Sequence, residues 1–504
     1  MMVLLWIPLL LSSLLSAVHS FRSLPASSRG RVASSSANRL VSSLFGKKSR
    51  SKDTDTASKE AKRERRQRIL EQSQQQMQAA SPMNVLQVAE AYRGRDIPEE
   101  VRRGLSFLEA ILLNDMSLFE ATHPNDPFPP EFADRFRRIS AGGVWIDNVD
   151  SWVQYFSETL ETSKKHLRSR IYFDDTSRQH VCDAKASDLE EVTFKQLMVG
   201  EVNRGKVVYG TLTSHMFMKE GIVVLVEGKE KTVVPMYLYN LISPSISIHD
   251  VKNIFGNHLK IAIKEPFLKC MSDGYLGVQI DNPCNVEMPI DAYAITENSI
   301  KDPFQDQDEV EDYFGPLVIG DAGFKGRGVL LTRDVEEGEL LFRERAFAAK
   351  LNDRPDCVAV NFKTNMYSDY SIISLVAKLV GESTRNSTVN NMLSVLSSER
   401  KSATFLPTLD MFRTRSFPTA PRISAYAIEG IITINAYSVS YASKRGTGLW
   451  IAASFFNHDA FPNTAQSIDG KVMTLTAKRA LKAGTEVTVT YGSDSAILRR
   501  KWGI

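Results

Sequence analysis

The chain contains 504 residues, with 62 Lys and Arg against 59 Asp and Glu, a formal net charge of +3 and 43% hydrophobic residues. This length is enough for roughly three average domains, and ordinary Gly and Pro usage excludes collagen-like and wholly low-complexity proteins. The balanced charge also excludes a strongly basic nucleic-acid binder. We therefore expect a globular core and no specific nucleic-acid partner.

The N-terminus has the composition of a targeting sequence. Residues 4–15 form an apolar run that suits the core of a signal peptide and is shorter than the ~20 residues that a membrane helix needs. Val18 and Ser20 then provide a small-x-small cleavage signal, which predicts a signal peptide at 1–20. Residues 21–52 contain eight Lys or Arg, no Asp or Glu, and many Ser and Ala, as a transit peptide does.

Together these two segments resemble the bipartite plastid presequences of algae with secondary plastids. The resemblance implies localisation in a plastid, with membrane contact only during targeting. Secretion is the alternative, and Asn386 in Asn386-Ser387-Thr388 would then be a candidate glycosylation site. A buried core strand at residues 4–15 is less favoured. No other stretch contains 18 uncharged apolar residues, so no transmembrane helix is expected.

The residue composition changes several times along the middle of the chain. Residues 53–83 mix charge and Gln with almost no apolar periodicity, which predicts a linker or disordered segment. Residues 84–173 carry apolar side chains at helical spacing and predict a helical region. Residues 195–290 consist of short β-branched runs separated by Gly, Asn, Ser and Pro, which is typical of a small β-rich domain. The acidic stretch 295–312 predicts a second linker, and no repeat of 20 to 50 residues is found.

Three motifs lie in a second β-rich block, 315–504, which helical sequence interrupts at about 369–412. The first, Gly320-Asp-Ala-Gly-Phe-Lys-Gly-Arg-Gly328, is a glycine-rich turn before a strand, and a phosphate-binding loop is disfavoured because no helix follows. The second, Asn457-His-Asp-Ala-Phe-Pro-Asn463, follows an apolar run. The third, Ala483-Gly-Thr-Glu-Val-Thr-Val-Thr-Tyr-Gly492, alternates as a strand and ends on a tyrosine. Taken singly, each motif fits ordinary packing, such as a tight hairpin that needs glycine.

In this order and at these spacings, the three motifs resemble the SET-domain protein lysine methyltransferases over roughly residues 315–504. The resemblance implies an α+β, mostly β SET fold, a β-clip with a knot-like crossing, that carries a helical insert. More narrowly, the strand-rich block Gly205–Asn285 resembles the region that precedes the tetratricopeptide repeats in plant-type TPR-and-SET proteins. Those repeats are missing here, since only the acidic linker separates the two β-rich blocks.

The resemblance implies S-adenosyl-L-methionine as the cofactor. Main-chain groups of the glycine turn and the Asn-His pair would hold it, and the late tyrosine would stand beside the methyl group and orient the substrate amine. The substrate lysine must arrive uncharged, and its pKa of ~10.4 falls in an aromatic channel beside a cationic sulfonium. The implied cofactor-binding residues are Lys325, Gly326, Arg327, Gly328, Asn457, His458 and Tyr491, and the implied catalytic residues are Tyr491 and Tyr437.

The sequence departs from the family at its zinc site. The family motif reads Asn-His-Ser-Cys-x-Pro-Asn, and its Cys is a zinc ligand that is completed by a Cys cluster after the tyrosine strand. Here Ala460 takes that position, and Trp502-Gly503-Ile504 stands where the family often continues to further Cys residues. We therefore expect no zinc and no other metal. The four cysteines present form no Cys-x-x-Cys or Cys/His pair and are expected to be free thiols: Cys182, Cys270, Cys284 and Cys357.

The expected function is methyl transfer from S-adenosyl-L-methionine to a lysine of a protein, and to a non-histone protein if plastid localisation is right. The alternative is a catalytically inactive SET-fold binding or scaffold protein, because the missing zinc-held segment ordinarily helps to close the cofactor pocket. The presence of the two motif glycines, Asn457, His458 and Tyr491 favours the enzyme.

Overall fold

The structure, a computed structural model, describes residues 134–491 except 136, 140, 165–167, 173–175, 219–220, 243–247, 256–257, 272, 291–302, 308, 354–356, 362–365 and 399–400. The predicted signal peptide, the transit-peptide-like segment, the linker at 53–83 and most of the expected helical region at 84–173 lie outside the described residues. They stay predictions.

Seven α-helices and 22 strands occur in the described part of the chain. The helices are α1 Val149–Lys164, α2 Thr176–Gln179, α3 Ile248–Phe255, α4 Tyr370–Arg385, α5 Ser387–Ser394, α6 Leu409–Thr414 and α7 Ala425–Asn435. The first nine strands are β1 Arg168–Tyr172, β2 Glu190–Glu191, β3 Lys206–Met218, β4 Ile222–Gly228, β5 Val233–Leu238, β6 Lys260–Lys264, β7 Phe267–Cys270, β8 Leu276–Ile280 and β9 Val286–Glu287. The others are β10 Tyr313–Phe314, β11 Leu317–Asp321, β12 Arg327–Leu331, β13 Leu340–Arg345, β14 Ala348–Leu351, β15 Cys357–Asn361, β16 Met366–Asp369, β17 Ala436–Tyr441, β18 Lys444–Leu449, β19 Asn457–His458, β20 Thr464–Asp469, β21 Val472–Ala477 and β22 Glu486–Val489.

Residues 176–290, here named the sheet region, form one sheet in the order β7-β8-β5-β4-β3-β6-β9, with β2 added on β3. Strand β4 is a continuous apolar run because both of its faces are covered. Val224 and Val226 belong to the main core of this region. Val223 and Leu225 face a smaller core that includes Trp152 of α1.

Residues 303–491, here named the C-terminal region, contain several small sheets. Two of them have four strands each, in the orders β10-β13-β21-β20 and β11-β12-β22-β19, and a third has the order β14-β18-β17. Their shared core is rich in aromatic side chains, among them Phe342, Trp450 and Phe455. The helices α4 to α7 between β16 and β17 extend the insert past the expected 369–412, to Asn435. The α+β, mostly β class expected from the sequence is confirmed.

Buried polar contacts join the two regions. Arg178, which follows β1, forms an ion pair with Glu429 of α7, and their side chains are 3% and 9% exposed. Asn282 accepts a hydrogen bond from the backbone N–H of Ala425 at 2.7 Å and donates to the carbonyl of His180 at 2.8 Å. Within the stretch expected as a linker at 295–312, Phe304 is buried in the C-terminal core.

Among the described residues, no helix is long and apolar enough to cross a membrane.

Candidate functional site

The glycine turn, residues 323–326, connects the antiparallel strands β11 and β12. Gly323 and Gly326 have φ angles of +71° and +78°, a left-handed conformation that glycine adopts without strain. The turn is closed by a hydrogen bond from Ala322 N–H to the Gly326 carbonyl at 2.6 Å. A Cβ added at Gly326 would meet no atom within 4 Å, so the main chain of this residue lies open to a ligand.

Asn457 ties the glycine turn to the final strand. Asn457 lies opposite Thr488 in a parallel strand pair, so β19 lies beside β22. Its Nδ2 donates to the Arg327 carbonyl at 2.9 Å and to Glu486 Oε1 at 2.7 Å. A Cβ on Gly328 would lie 2.8 Å from this Nδ2. Gly328 therefore serves the close approach of Asn457. Among the described residues, no hydrogen bond engages the Asn457 Oδ1, which can accept from a ligand.

The predicted cofactor cation Lys325 reaches the same cluster. Its Nζ lies 3.2 Å from Glu486 Oε2 and 3.9 Å from Asp459 Oδ2, and it donates to the His458 carbonyl at 3.3 Å. Glu486 thus contacts both Lys325 and Asn457. The sequence motif contains Glu486, but no role was predicted for it.

Arg327 points away from this cluster toward the helical insert. Its guanidinium donates to the Val395 carbonyl at 3.0 Å and to Ser397 Oγ at 2.8 Å, and it stacks on the Phe455 ring at 4.6 Å. Burial lowers the pKa of Arg327, and the nearby Tyr491 acts in the opposite direction. In this structure Arg327 holds the insert against the glycine turn, while its carbonyl holds Asn457.

His458 and Tyr491 contact each other directly. The backbone N–H of Tyr491 donates to His458 Nδ1 at 3.0 Å, and the two rings lie 5.3 Å apart. Because Nδ1 accepts this bond, the ring proton of the neutral imidazole is assigned to Nε2. Desolvation lowers the pKa of His458, which favours the neutral form.

The Tyr491 hydroxyl is fixed by the segment that precedes the Asn-His pair. It donates to the Phe456 carbonyl at 2.7 Å, and burial raises its pKa to about 12. Tyr437 packs edge-on against Trp450 at 6.0 Å. Burial raises the pKa of Tyr437, and the charge of Tyr491 acts in the same direction.

Glu344 is a further polar residue of this site, and no role was predicted for it. The carboxylate is buried and accepts hydrogen bonds from the backbone N–H groups of Ala452 and Ala453 at 3.1 and 2.9 Å. Burial raises its pKa to about 8. It braces the segment that leads to Phe456 and Asn457. The burial of Glu344 could have been predicted from the sequence of β13, because strand alternation places Glu344 on the same inward face as Phe342.

The donors and acceptors present fit S-adenosyl-L-methionine. Its ammonium needs acceptors, which Asn457 Oδ1 and nearby carbonyls would provide, and oxygens such as those of Tyr491 and Phe456 would stabilise its sulfonium. The open main chain at Gly326 leaves room for a close approach. Among the described residues, no group of three or more His, Cys, Asp or Glu side chains could hold a metal ion.

Comparison with known proteins agrees with this geometry. The SET domain family matches residues 326–492, a stretch that contains Gly326, Asn457, His458 and Tyr491. The chain therefore contains a SET domain.

A protein of Gibberella zeae named "Methyltransferase" is 26% identical over 105 residues, which cover 21% of this chain and 14% of that protein. The chain thus matches only about one seventh of the length of this relative. Solved structures include the SET domain of LSMT bound to methyllysine and AdoHcy, with 14% identity, 40% of this chain and 54% of that chain covered, and a TM-score of 0.25. A structure of active polycomb repressive complex 2 in the stimulated state gives 15% identity, 36% and 16% coverage, and a TM-score of 0.18.

Proposed function

We propose that the protein transfers a methyl group from S-adenosyl-L-methionine to a lysine side chain of another protein. One observation carries the proposal: groups distant in sequence converge on one cluster. Asn457 bonds the Arg327 carbonyl, 130 residues earlier, and the Tyr491 N–H bonds His458, 33 residues earlier. The SET domain match and the methyltransferase-named relative support the same chemistry.

The cofactor supplies an electrophilic methyl group on a sulfonium, and the chain's residues align the amine with it. The main chain at Gly326, the Oδ1 acceptor of Asn457 and the ring N–H of His458 would hold the cofactor in one pose. The phenol of Tyr491 stays protonated at neutral pH and gives its hydrogen to Phe456 O, so its oxygen accepts an N–H of the substrate amine. This leaves the amine lone pair free for an in-line attack, and alignment of this kind lowers the barrier by several kcal/mol.

The first test measures cofactor binding and methyl transfer by the full-length chain. Calorimetry should give saturable binding of S-adenosyl-L-methionine, and labelled-methyl transfer to protein in an extract of the native cell should be detectable. Tyr491→Phe should reduce transfer by about 100-fold, because the amine loses its orienting oxygen. Cofactor binding should weaken far less, because Asn457 and the main chain at Gly326 are unchanged. Tyr441→Phe is the matched control, since the Tyr441 hydroxyl donates to Asp306 instead.

The outcomes separate the enzyme from the scaffold. Transfer that survives both Tyr491→Phe and Asn457→Ala would contradict the site assignment. A chain that neither binds the cofactor nor transfers methyl groups would instead be a SET-fold binding protein.

The substrate class follows from a second proposal, on targeting. We propose that residues 1–52 direct the protein to a plastid and that its substrate is therefore a non-histone protein, on the strength of the apolar run and the acid-free basic stretch. A fluorescent protein fused to residues 1–55 should enter the plastid. A reporter in the secretory pathway would favour the alternative, and a cytosolic or nuclear signal would contradict both.

A further inference from the structure

A cavity of about 430 Å³ lies where the sheet region meets the helical insert. From the sheet region it is lined by His180 and Arg204, and from the insert by Lys401 and Arg422. The start of α7 contributes Ser424 and Ala427. Among the described residues that line it, none is Asp or Glu, and none belongs to the cluster around Asn457 and Tyr491.

The fold fixes two of the lining cations in place. Lys401 Nζ donates to the carbonyls of Ser394, Leu396 and Ser402 at 2.6, 3.0 and 2.9 Å. Arg422 donates to Asp183 and to the Thr384 carbonyl, both at 2.6 Å. Their charges are therefore held at the cavity wall instead of moving with flexible side chains.

Arg204, in contrast, has a guanidinium group that is not fixed by contacts with the described residues. Its residue is exposed, and in the described part of the chain no hydrogen bond or ion pair involves its guanidinium, which carries five N–H donors. Burial is the main cause of the lowered pKa of His180, and Glu265 acts in the opposite direction. The positive charge of Arg204 lowers this pKa further, because it opposes protonation of His180.

Two carboxylates contact residues that line the cavity, and they do not cancel this charge. Asp183 pairs with Arg422, and Glu265 lies 3.2 Å from His180 Nε2. In the described part of the chain, Arg204, Arg422 and Lys401 outnumber these two acids. Burial together with the charge of Arg327 lowers the pKa of Lys401 to about 8, so Lys401 is still mostly charged at neutral pH.

We propose that this cavity binds a small phosphate-bearing molecule. Guanidinium groups are donors that phosphate oxygens prefer, and Arg204 and Arg422 place two of them at the cavity. The volume is in the range of small-ligand sites and exceeds that of a single inorganic ion. Val181 and Ile423 in the wall provide apolar surface for the rest of the molecule. Methyl transfer needs no such anion, so this site lies beyond the proposed function.

Calorimetry of the full-length chain with inorganic pyrophosphate tests the proposal. We expect one saturable binding event that weakens as salt is raised. Arg204→Ala should weaken binding by about tenfold, because one charge-assisted contact is lost. Arg422→Ala should also weaken pyrophosphate binding. If loss of the Arg422–Asp183 ion pair unfolds the Arg422→Ala variant, Arg204→Ala still tests the proposal. Lys195→Ala removes one exposed positive charge elsewhere in the sheet region and should leave the affinity unchanged.

Saturating S-adenosylhomocysteine and the variant Asn457→Ala distinguish this cavity from the methyl-transfer site. Pyrophosphate binding that is unaffected by both supports a separate anion site, whether or not methyl transfer is ever detected. The proposal is wrong if pyrophosphate gives no saturable heat, if S-adenosylhomocysteine displaces it, or if Arg204→Ala and Lys195→Ala bind it equally well.

Discussion

In the sheet region, most strands pair with neighbours in sequence, as β3 does with β4, β4 with β5, and β7 with β8. In the C-terminal region, the strands that carry the candidate site pair across long sequence separations. Val329 of β12 lies opposite Val487 of β22, and β22 in turn lies beside β19. The first region is therefore organised locally, whereas the second needs its last strand before the site exists.

This difference decides where chemistry can gather. In the sheet region, buried polar side chains hold backbone segments together, as Asn203 does when it bonds Met198 and Pro266 backbone groups. In the C-terminal region, polar side chains from three separate segments meet because β12, β19 and β22 are adjacent. Function is expected where distant segments converge, and stability where neighbours pair.

The largest effect is expected where the two regions meet. Arg178→Met leaves the buried Glu429 carboxylate without its ion-pair partner and should lower the free energy of unfolding by about 3–5 kcal/mol. Arg178→Met combined with Glu429→Leu should recover part of this loss, because no buried charge then remains. Urea unfolding measures both.

Lys444→Ala is the control for this pair, since the Lys444–Asp353 ion pair is about half exposed and should contribute about 0–1 kcal/mol. If Arg178→Met costs no more than Lys444→Ala, the two regions are not coupled through this contact.

The second prediction concerns pH and the carboxylate that braces the site. Burial raises the folded-state pKa of Glu344 to about 8, against ~4.3 in an unfolded chain. The folded state thus binds more protons between these values, so the stability from Glu344 is greatest below the unfolded pKa and is lost as pH rises toward 8. Between pH 5 and 8, the free energy of unfolding should therefore fall by roughly 2–4 kcal/mol less in Glu344→Gln than in the unmodified protein.

Urea midpoints at pH 5, 6.5 and 8 check this prediction. Glu339→Gln serves as the control, because an ion-paired hydrogen bond from Arg333 lowers the pKa of Glu339 and moves its titration out of this window. An unchanged slope in Glu344→Gln would mean that Glu344 is ionised throughout.

The motifs predicted the convergence of Asn457, His458 and Tyr491 with the glycine turn only through the family resemblance, because spacing alone cannot bring residues 130 positions apart together. The roles inside the cluster were less predictable. Arg327 was expected at the cofactor, yet its guanidinium bonds the insert, since Val395 and Ser397 lie within its reach only after folding. Glu486 and Glu344 act through neighbours that no sequence pattern assigns to them.

The third prediction tests whether Gly328 serves packing. A Cβ at this position would lie 2.7 Å from Ala322 Cβ, 2.8 Å from Asn457 Nδ2 and 2.9 Å from Glu486 Oε1. Gly328→Ala should therefore cost about 1–3 kcal/mol by forcing Asn457 away from β12. Binding of S-adenosyl-L-methionine should weaken with it. Thermal unfolding and calorimetry measure the two effects, and an unaffected affinity would show that the Asn457 position does not matter for the cofactor.

The smallest effect separates conformation from contact at the neighbouring glycine. Gly326 has a φ of +78° but open space at its Cβ position, so Gly326→Ala meets backbone strain of about 1 kcal/mol and no clash. Gly338, with a φ of +79° and equally open surroundings in a turn far from Asn457 in sequence, is the matched control. Both variants should lose similar stability. Only Gly326→Ala should weaken S-adenosyl-L-methionine binding, because the alanine side chain then occupies the open main-chain surface of the glycine turn. Equal affinities in the two variants would mean that the cofactor does not approach the glycine turn.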